Sequence, residues 1–235
     1  MAVSLDEFKK GMDRLDVRDF RTKKIWRAFE YYKTDRKAGV KTSVMLGYSG
    51  YEDVFIIDVF GVSISFKSIE KERTPFLNKY RFISGEPSST IVCSFMKKLE
   101  DCQLKITKPE HIEMLLGKVQ TILNEDIFPF VDQYSNIDEV AKEIATKERN
   151  DLPFDITCPC PQATAMLFLK QTNSPVYKDK LRETAEDLKQ YVEGDVKENG
   201  LELAEGSIDV LKMFEELLHD DLETVEYDFH HDFFL

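Results

Sequence analysis

The stretch from Val54 to Phe66 constrains the fold more than any other. Val54, Phe55, Ile56, Ile57, Val59, Phe60, Val62, Ile64 and Phe66 are all β-branched or aromatic. Such side chains fit a pleated, partly buried surface. Asp58 and interspersed polar residues interrupt the run. It therefore falls short of the roughly 20 apolar residues that a membrane-spanning helix needs. The reading is a long strand, with Gly61 marking a bulge or a bend.

A strand with an apolar face needs other strands beside it. Val40 to Tyr48 is the next candidate, and Ser49-Gly50 is a turn between the two. Ile25 to Tyr32 can be read at either the helical or the strand period, and its aromatic enrichment favours a strand, ahead of a polar turn from Thr34 to Gly39. Tyr80 to Ile83 and Thr90 to Met96 are weaker candidates. Short polar connections between such segments predict an antiparallel meander.

Helices flank this region. Ser4 and Glu7 have capping-box spacing, and Leu5, Phe8, Met12 and Leu15 follow at helical intervals, which predicts a helix over 5–15. Thr107 and Glu110 repeat the spacing, with Pro109 in the first turn. A stripe from Ile112 to Leu123 follows, and Asn124 to Pro129 reads as its break. Asn136 and Glu139 cap the next predicted helix, through Ala145. Asn150 to Pro161 is rich in turn formers and marks the boundary between a sheet domain, 1–150, and a helical subdomain, 151–235. Within the second, Gln162 to Lys170, Tyr177 to Val192 and Leu201 to Leu218 carry apolar stripes, with Gly194 to Gly200 as a separator. The fold class read from this order is α+β: an antiparallel sheet flanked by helices, then C-terminal helices.

With 42% hydrophobic residues and 17 Phe, the chain has enough apolar mass for a real core and is not of disordered composition. Its charge is unevenly spread. Residues 1–50 hold 12 basic and 7 acidic side chains, whereas residues 151–235 hold 7 basic and 20 acidic. The net charge of −12 opposes nucleic-acid binding overall, while the basic N-terminal part leaves a local exception. With no secretory signal at the N-terminus, the expected location is the cytoplasm, where Cys93, Cys102, Cys158 and Cys160 stay reduced.

Constellations with chemical potential are few. Cys158-Pro-Cys160 has neither the two-to-four-residue spacing of zinc ligands nor the redox spacing. His230-His231, with Asp228 or Asp232, could bind a metal, but neighbours on an extended chain face opposite ways, and a solvated or Phe-packed tail is the preferred reading. His111 stands beside Glu110 and Glu113 without a nucleophile. Glu125-Asp126 and Asp220-Asp221 are read as solvated acids in a chain with 44 of them. Phosphate-binding glycine loops, His-Glu-x-x-His and Gly-x-Ser-x-Gly are absent. Arg21, Lys23, Lys24 and Arg27, among Phe20, Trp26, Phe29, Tyr31 and Tyr32, have the composition of a base-stacking surface; a strand with a wet, basic edge is preferred.

The order of Phe20-Arg-Thr-Lys-Lys-Ile-Trp-Arg-Ala-Phe, the strand Val40 to Leu46, Gly61-Val-Ser and Leu123-Asn-Glu-Asp-Ile-Phe-Pro-Phe resembles small bacterial α+β domains of unknown function. Some of those have suspected protein-binding or toxin-immunity roles. The resemblance covers residues 1–150 and carries over no functional residue.

The expected function is that of a non-enzymatic protein-interaction or immunity-type protein, without a cofactor, metal or catalytic residue, whose acidic C-terminal region meets a basic partner. One alternative is an enzyme or small-ligand binder with a site between sheet and helices, for which Trp26, Tyr31, Tyr48 and His111 are the candidates. Another is a homo-oligomeric structural subunit.

Overall fold

The computed structural model describes residues 3–51, 54–82, 89–100, 105–157 and 159–231. Ile83, Cys102, Cys158, Asp232 and Phe233 to Leu235, which enter the readings above, lie outside them. The chain is α+β. In order come α1 (Leu5–Met12), β1 (Arg21–Ile25), β2 (Ala28–Asp35), β3 (Val40–Tyr51), β4 (Val54–Phe66), α2 (Lys67–Lys79), β5 (Ile91–Ser94) and β6 (Lys105–Ile106). Then follow α3 (Pro109–Ile122), α4 (Phe128–Tyr134), α5 (Ile137–Thr146), β7 (Asp155–Ile156), α6 (Pro161–Gln171), α7 (Tyr177–Asn199), α8 (Glu205–Leu217) and α9 (His219–Thr224). The sheet order is β1-β2-β3-β4-β5-β7, with β6 pairing β4. Strands β1 to β4 form the expected antiparallel meander.

Two compact units divide the chain. One gathers Met1–Phe66, Ile91–Asn136 and Pro153–Asp155; the other gathers Lys67–Thr90, Ile137–Leu152 and Ile156–Leu235.

In the first unit, β4 changes the parity of its buried positions. Phe55 and Ile57 are buried, then Phe60, Val62, Ile64 and Phe66. A regular strand would turn one of these sets outward, because side chains alternate with period two. The pairing with β3 absorbs the mismatch: Gly47 opposes Val59 and Tyr48 opposes Ile57, so Asp58 is an extra residue. A bulge of this kind costs one unpaired residue and keeps the apolar face continuous. Gly61 is not the bulge. It lies opposite Ser94 of β5, and a Cβ there would stand 2.7 Å from the Cys93 carbonyl oxygen.

The first helix is fixed at both levels. Ser4 Oγ accepts from the Glu7 N–H, and Glu7 accepts from the Ser4 N–H, completing the capping box. The buried Phe8 then meets Phe29, Tyr48 and Phe55 at centroid distances of 5.9, 5.1 and 5.2 Å. The helix stops at Met12, short of Leu15.

Other boundaries differ from the sequence reading. The alternation across 25–32 is broken by a turn at Trp26-Arg27, since Ile25 pairs with Ala28. Lys108 precedes α3 without a side-chain cap; the Thr107 N–H donates to His111 Nδ1 instead. Asn124 to Pro129 does not break the helix: Leu123–Ile127 forms a π turn that runs on into α4. That turn re-phases the stripe so that Leu123, Ile127, Phe128 and Val131 stay buried. Tyr80 and Arg81 follow α2 as a turn rather than a strand.

In the second unit, α6 buries Ala163, Met166, Leu167, Phe168 and Leu169, so it is covered on nearly every side. The stripe Leu181, Ala185, Leu188 and Val192 of α7 is buried as its spacing predicts. That helix passes through Gly194 and ends at Gly200, whose φ of 82° suits a glycine. Leu201 to Ala204 is a turn, and α8 begins at Glu205. No helix among the described residues is long and apolar enough to cross a membrane.

Replacing Gly61 with Ala forces the β5 backbone to give way and should cost about 1–3 kcal/mol. At Gly117, inside α3, a new Cβ meets nothing within 4 Å, and Ala there should add about 0.5–1 kcal/mol. Denaturant titration of the two variants beside the parent checks both signs.

Candidate functional site

The helical unit contains a groove of about 740 Å³. Thr184, Asp187, Leu188 and Tyr191 line it from α7, at the spacing of one helix face. Gly206, Ser207 and Val210 line it from α8, and Pro159, Pro161 and Gln162 from the start of α6. Arg149, in a 3-10 turn, completes it. A smaller recess of about 140 Å³ shares Arg149, Pro161, Gln162 and Thr184 and extends past Leu152, Met166 and Lys180.

Arg73 bonds Thr157 and Thr164, on either side of the lining residues Pro159, Pro161 and Gln162. This side chain is 1% exposed, on the buried stripe Ile69-Arg73-Leu77 of α2. Its Nε and Nη2 donate to the two Glu70 oxygens at 3.1 and 2.9 Å. Nη1 donates to Thr164 Oγ1 at 3.1 Å, and Nη2 also reaches the Ser89 carbonyl at 2.6 Å and Thr157 Oγ1 at 3.1 Å. The Thr90 hydroxyl donates to Glu70. A buried guanidinium is tolerable only when its donors are met in this way. The two threonines bracket Pro159, Pro161 and Gln162, so the network sets the position of these residues.

The groove has a mixed lining. Tyr191 is 65% exposed there, an unusual state for so large an apolar body. The Gln162 Oε1 is buried and accepts no hydrogen bond among the described residues. Ser207 donates to Asp195, which also accepts from Asn199 at 2.8 Å. These bonds hold the Asp195 carboxyl below the usual carboxylate range. In the turn before α8, Leu201 and Leu203 are exposed, Leu203 by 80%.

The sequence candidates do not come together. Tyr31 is buried and its hydroxyl donates to the Met12 carbonyl, and Tyr48 is packed among Phe8, Phe29 and Phe55. His111 serves the start of α3 through Thr107. Trp26 stands in solvent at the β1–β2 turn. Burial pushes the Cys93 thiol up, and the Cys160 thiol donates to the Val210 carbonyl. Asp126 pairs with Lys98 at 2.9 Å and Asp221 with Lys170 at 2.6 Å. His230 is exposed while His231 is buried, its Nε2 lying 2.9 Å from Glu215 Oε1, which also accepts from the Tyr227 hydroxyl. His231 therefore ties the tail to α8. His219, Asp220 and Glu223 bring possible ligand atoms within 4.8 Å of one another on exposed α9, where His219 also stacks on Phe229. Sequence reasoning missed the groove because its mixed lining comes from separate segments, and of that lining only Leu188 belongs to the α7 stripe read from the sequence.

No family model, no curated protein and no solved structure matches the chain.

Arg73→Met leaves Glu70 facing the interior unpaired, with an expected loss of about 3–5 kcal/mol. The double variant Glu70→Met/Arg73→Met should lose less, because no charge remains to be buried. Chemical denaturation measures both, and equal losses would contradict the ion-pair account. The lowered Asp195 pKa stabilises the fold above the unfolded-state pKa, and this contribution is lost as pH falls through the folded value. Ser207→Ala should raise the Asp195 pKa toward an ordinary carboxylate, read by NMR titration of its side-chain carbon.

Proposed function

We propose that the protein is a non-enzymatic protein-interaction protein whose helical unit holds a basic, amphipathic helix of its partner. The observation that carries this reading is the groove between α7 and α8, with exposed Tyr191 on its rim. Its α7 face spans roughly two helical turns, enough to seat two or three apolar anchors of a docking helix. Charge complementarity supports the basic partner. From Tyr177 to Thr224 there are 15 acidic and 6 basic side chains, so a cationic helix is drawn in and an anionic one is repelled. An immunity-type role, which blocks a partner by covering it, is of this kind.

A second reading rests on Gln162. Its unpartnered oxygen, with Arg149 and Asp187 on the same groove, suits a small polar ligand, and about 740 Å³ is within the range of ligand sites.

The test is a calorimetric titration of the full chain with a helical lysine–leucine amphipathic peptide and its glutamate–leucine counterpart. Only the lysine peptide should bind. Tyr191→Ala should weaken it by about tenfold or more. Neutralising Asp187, Glu202 and Glu205 together should flatten the salt dependence. Unchanged affinity in the Tyr191 variant would overturn the helix-docking reading.

A further inference from the structure

The β1–β2 hairpin carries an independent surface of opposite charge. Arg21 to Lys24 are exposed, and Ile25 is half-buried. Among the described residues β1 has a single strand neighbour, β2, so its outer edge offers a row of backbone donors and acceptors. From Arg21 to Arg27 the chain holds four basic side chains and no acid. At the tip stands Trp26, the protein's one tryptophan, 86% exposed. The Arg27 guanidinium lies 4.7 Å from the centre of its ring. Arg27 itself has a φ of 57°, a strained conformation for a residue with a side chain.

Lysines on an edge strand ordinarily repel other edges. That explains Lys23 and Lys24 but not Trp26, because an exposed indole invites contact rather than preventing it. We propose that β1 accepts an acidic, extended segment of a partner protein as an added strand, anchored by Trp26. The backbone edge supplies the ladder, Arg21 and Lys23 on one face select carboxylates on the incoming strand, Lys24 on the other face being held by Asp13 at 2.7 Å, and the indole with its stacked guanidinium covers the segment's end. A second copy of the chain fits poorly, since its own β1 would set like charges against each other. A nucleic acid would use successive aromatic platforms, and among the described residues of β1, β2 and their turn Trp26 is the only exposed aromatic.

Because Trp26 is the one tryptophan, its emission reports directly on the site. The full chain would be titrated with a capped octapeptide of alternating Glu and Val. Parallel titrations would use its Lys–Val counterpart, a single-stranded oligonucleotide, and phosphatidylserine vesicles. The expected result is a blue shift with the acidic peptide alone. N-methylating one alternate set of its amides should abolish binding, and methylating the other set should be tolerated. With a labelled peptide, Trp26→Ala should weaken binding by about tenfold or more, with an unchanged circular dichroism spectrum. No emission shift at millimolar acidic peptide overturns the proposal. So does equal binding by both methylated peptides, or tighter binding of the oligonucleotide or the vesicles. The result is separate from that for the α7–α8 groove, which is read by Tyr191→Ala.

Discussion

Arg73 is held by Glu70, Thr157, Thr164 and the Ser89 carbonyl, and the helical unit is organised around that contact. Four separate stretches of chain converge on one guanidinium: α2, the residues before β5, the segment after β7 and the first turn of α6. Apolar packing alone is non-directional and leaves such segments free to slide. A planar fork of donors fixes each acceptor in direction as well as distance. Between the two threonines it bonds lie Pro159, Pro161 and Gln162, which line the groove. The same interaction that costs desolvation inside the unit thus shapes the surface on which a partner is proposed to sit.

Much of the fold was legible in the sequence, and the reasons for the exceptions are physical. Val54–Phe66 is a strand from end to end because every apolar residue in it favours a pleated surface. Glycine is the usual signal, so Gly61 reads as a bulge or a bend, whereas the parity change between Ile57 and Phe60 is the feature that locates the bulge. Helix α2 was missed because the middle of its buried stripe is Arg73, a residue that hydrophobic periodicity counts as surface, and because Pro75 lies inside it. The turn at Trp26-Arg27 has neither Gly nor Asn, so nothing local announced a hairpin. In the tail Phe229 packs on His219 and Tyr227, in line with the Phe-packed reading, and His231 is buried against Glu215, a contact that only the fold creates.

The candidate site was the least legible part. Trp26 was singled out for its chemistry among basic neighbours, and its exposure gives that composition a meaning. Tyr31 shares that setting and Tyr48 stands with it among the candidates of the ligand-binding alternative, and both are packed into the core. The uneven charge of the chain, basic at the start and acidic toward the end, leaves a basic hairpin edge at β1 and a groove formed largely by the acid-rich stretch α7 to α8, whose own lining carries both Asp187 and Arg149. Each surface has one exposed aromatic, Trp26 in the first case and Tyr191 in the second. Aromatic anchors ringed by charge are how interfaces gain both affinity and partner choice.

The account turns on whether the α7–α8 groove is where a basic helix binds. Hydrogen–deuterium exchange of the full chain, with and without saturating lysine–leucine peptide, tests this most directly. The account predicts new protection in segments 159–162, 184–191 and 203–210. Protection confined to other segments, or none at saturation, would contradict it.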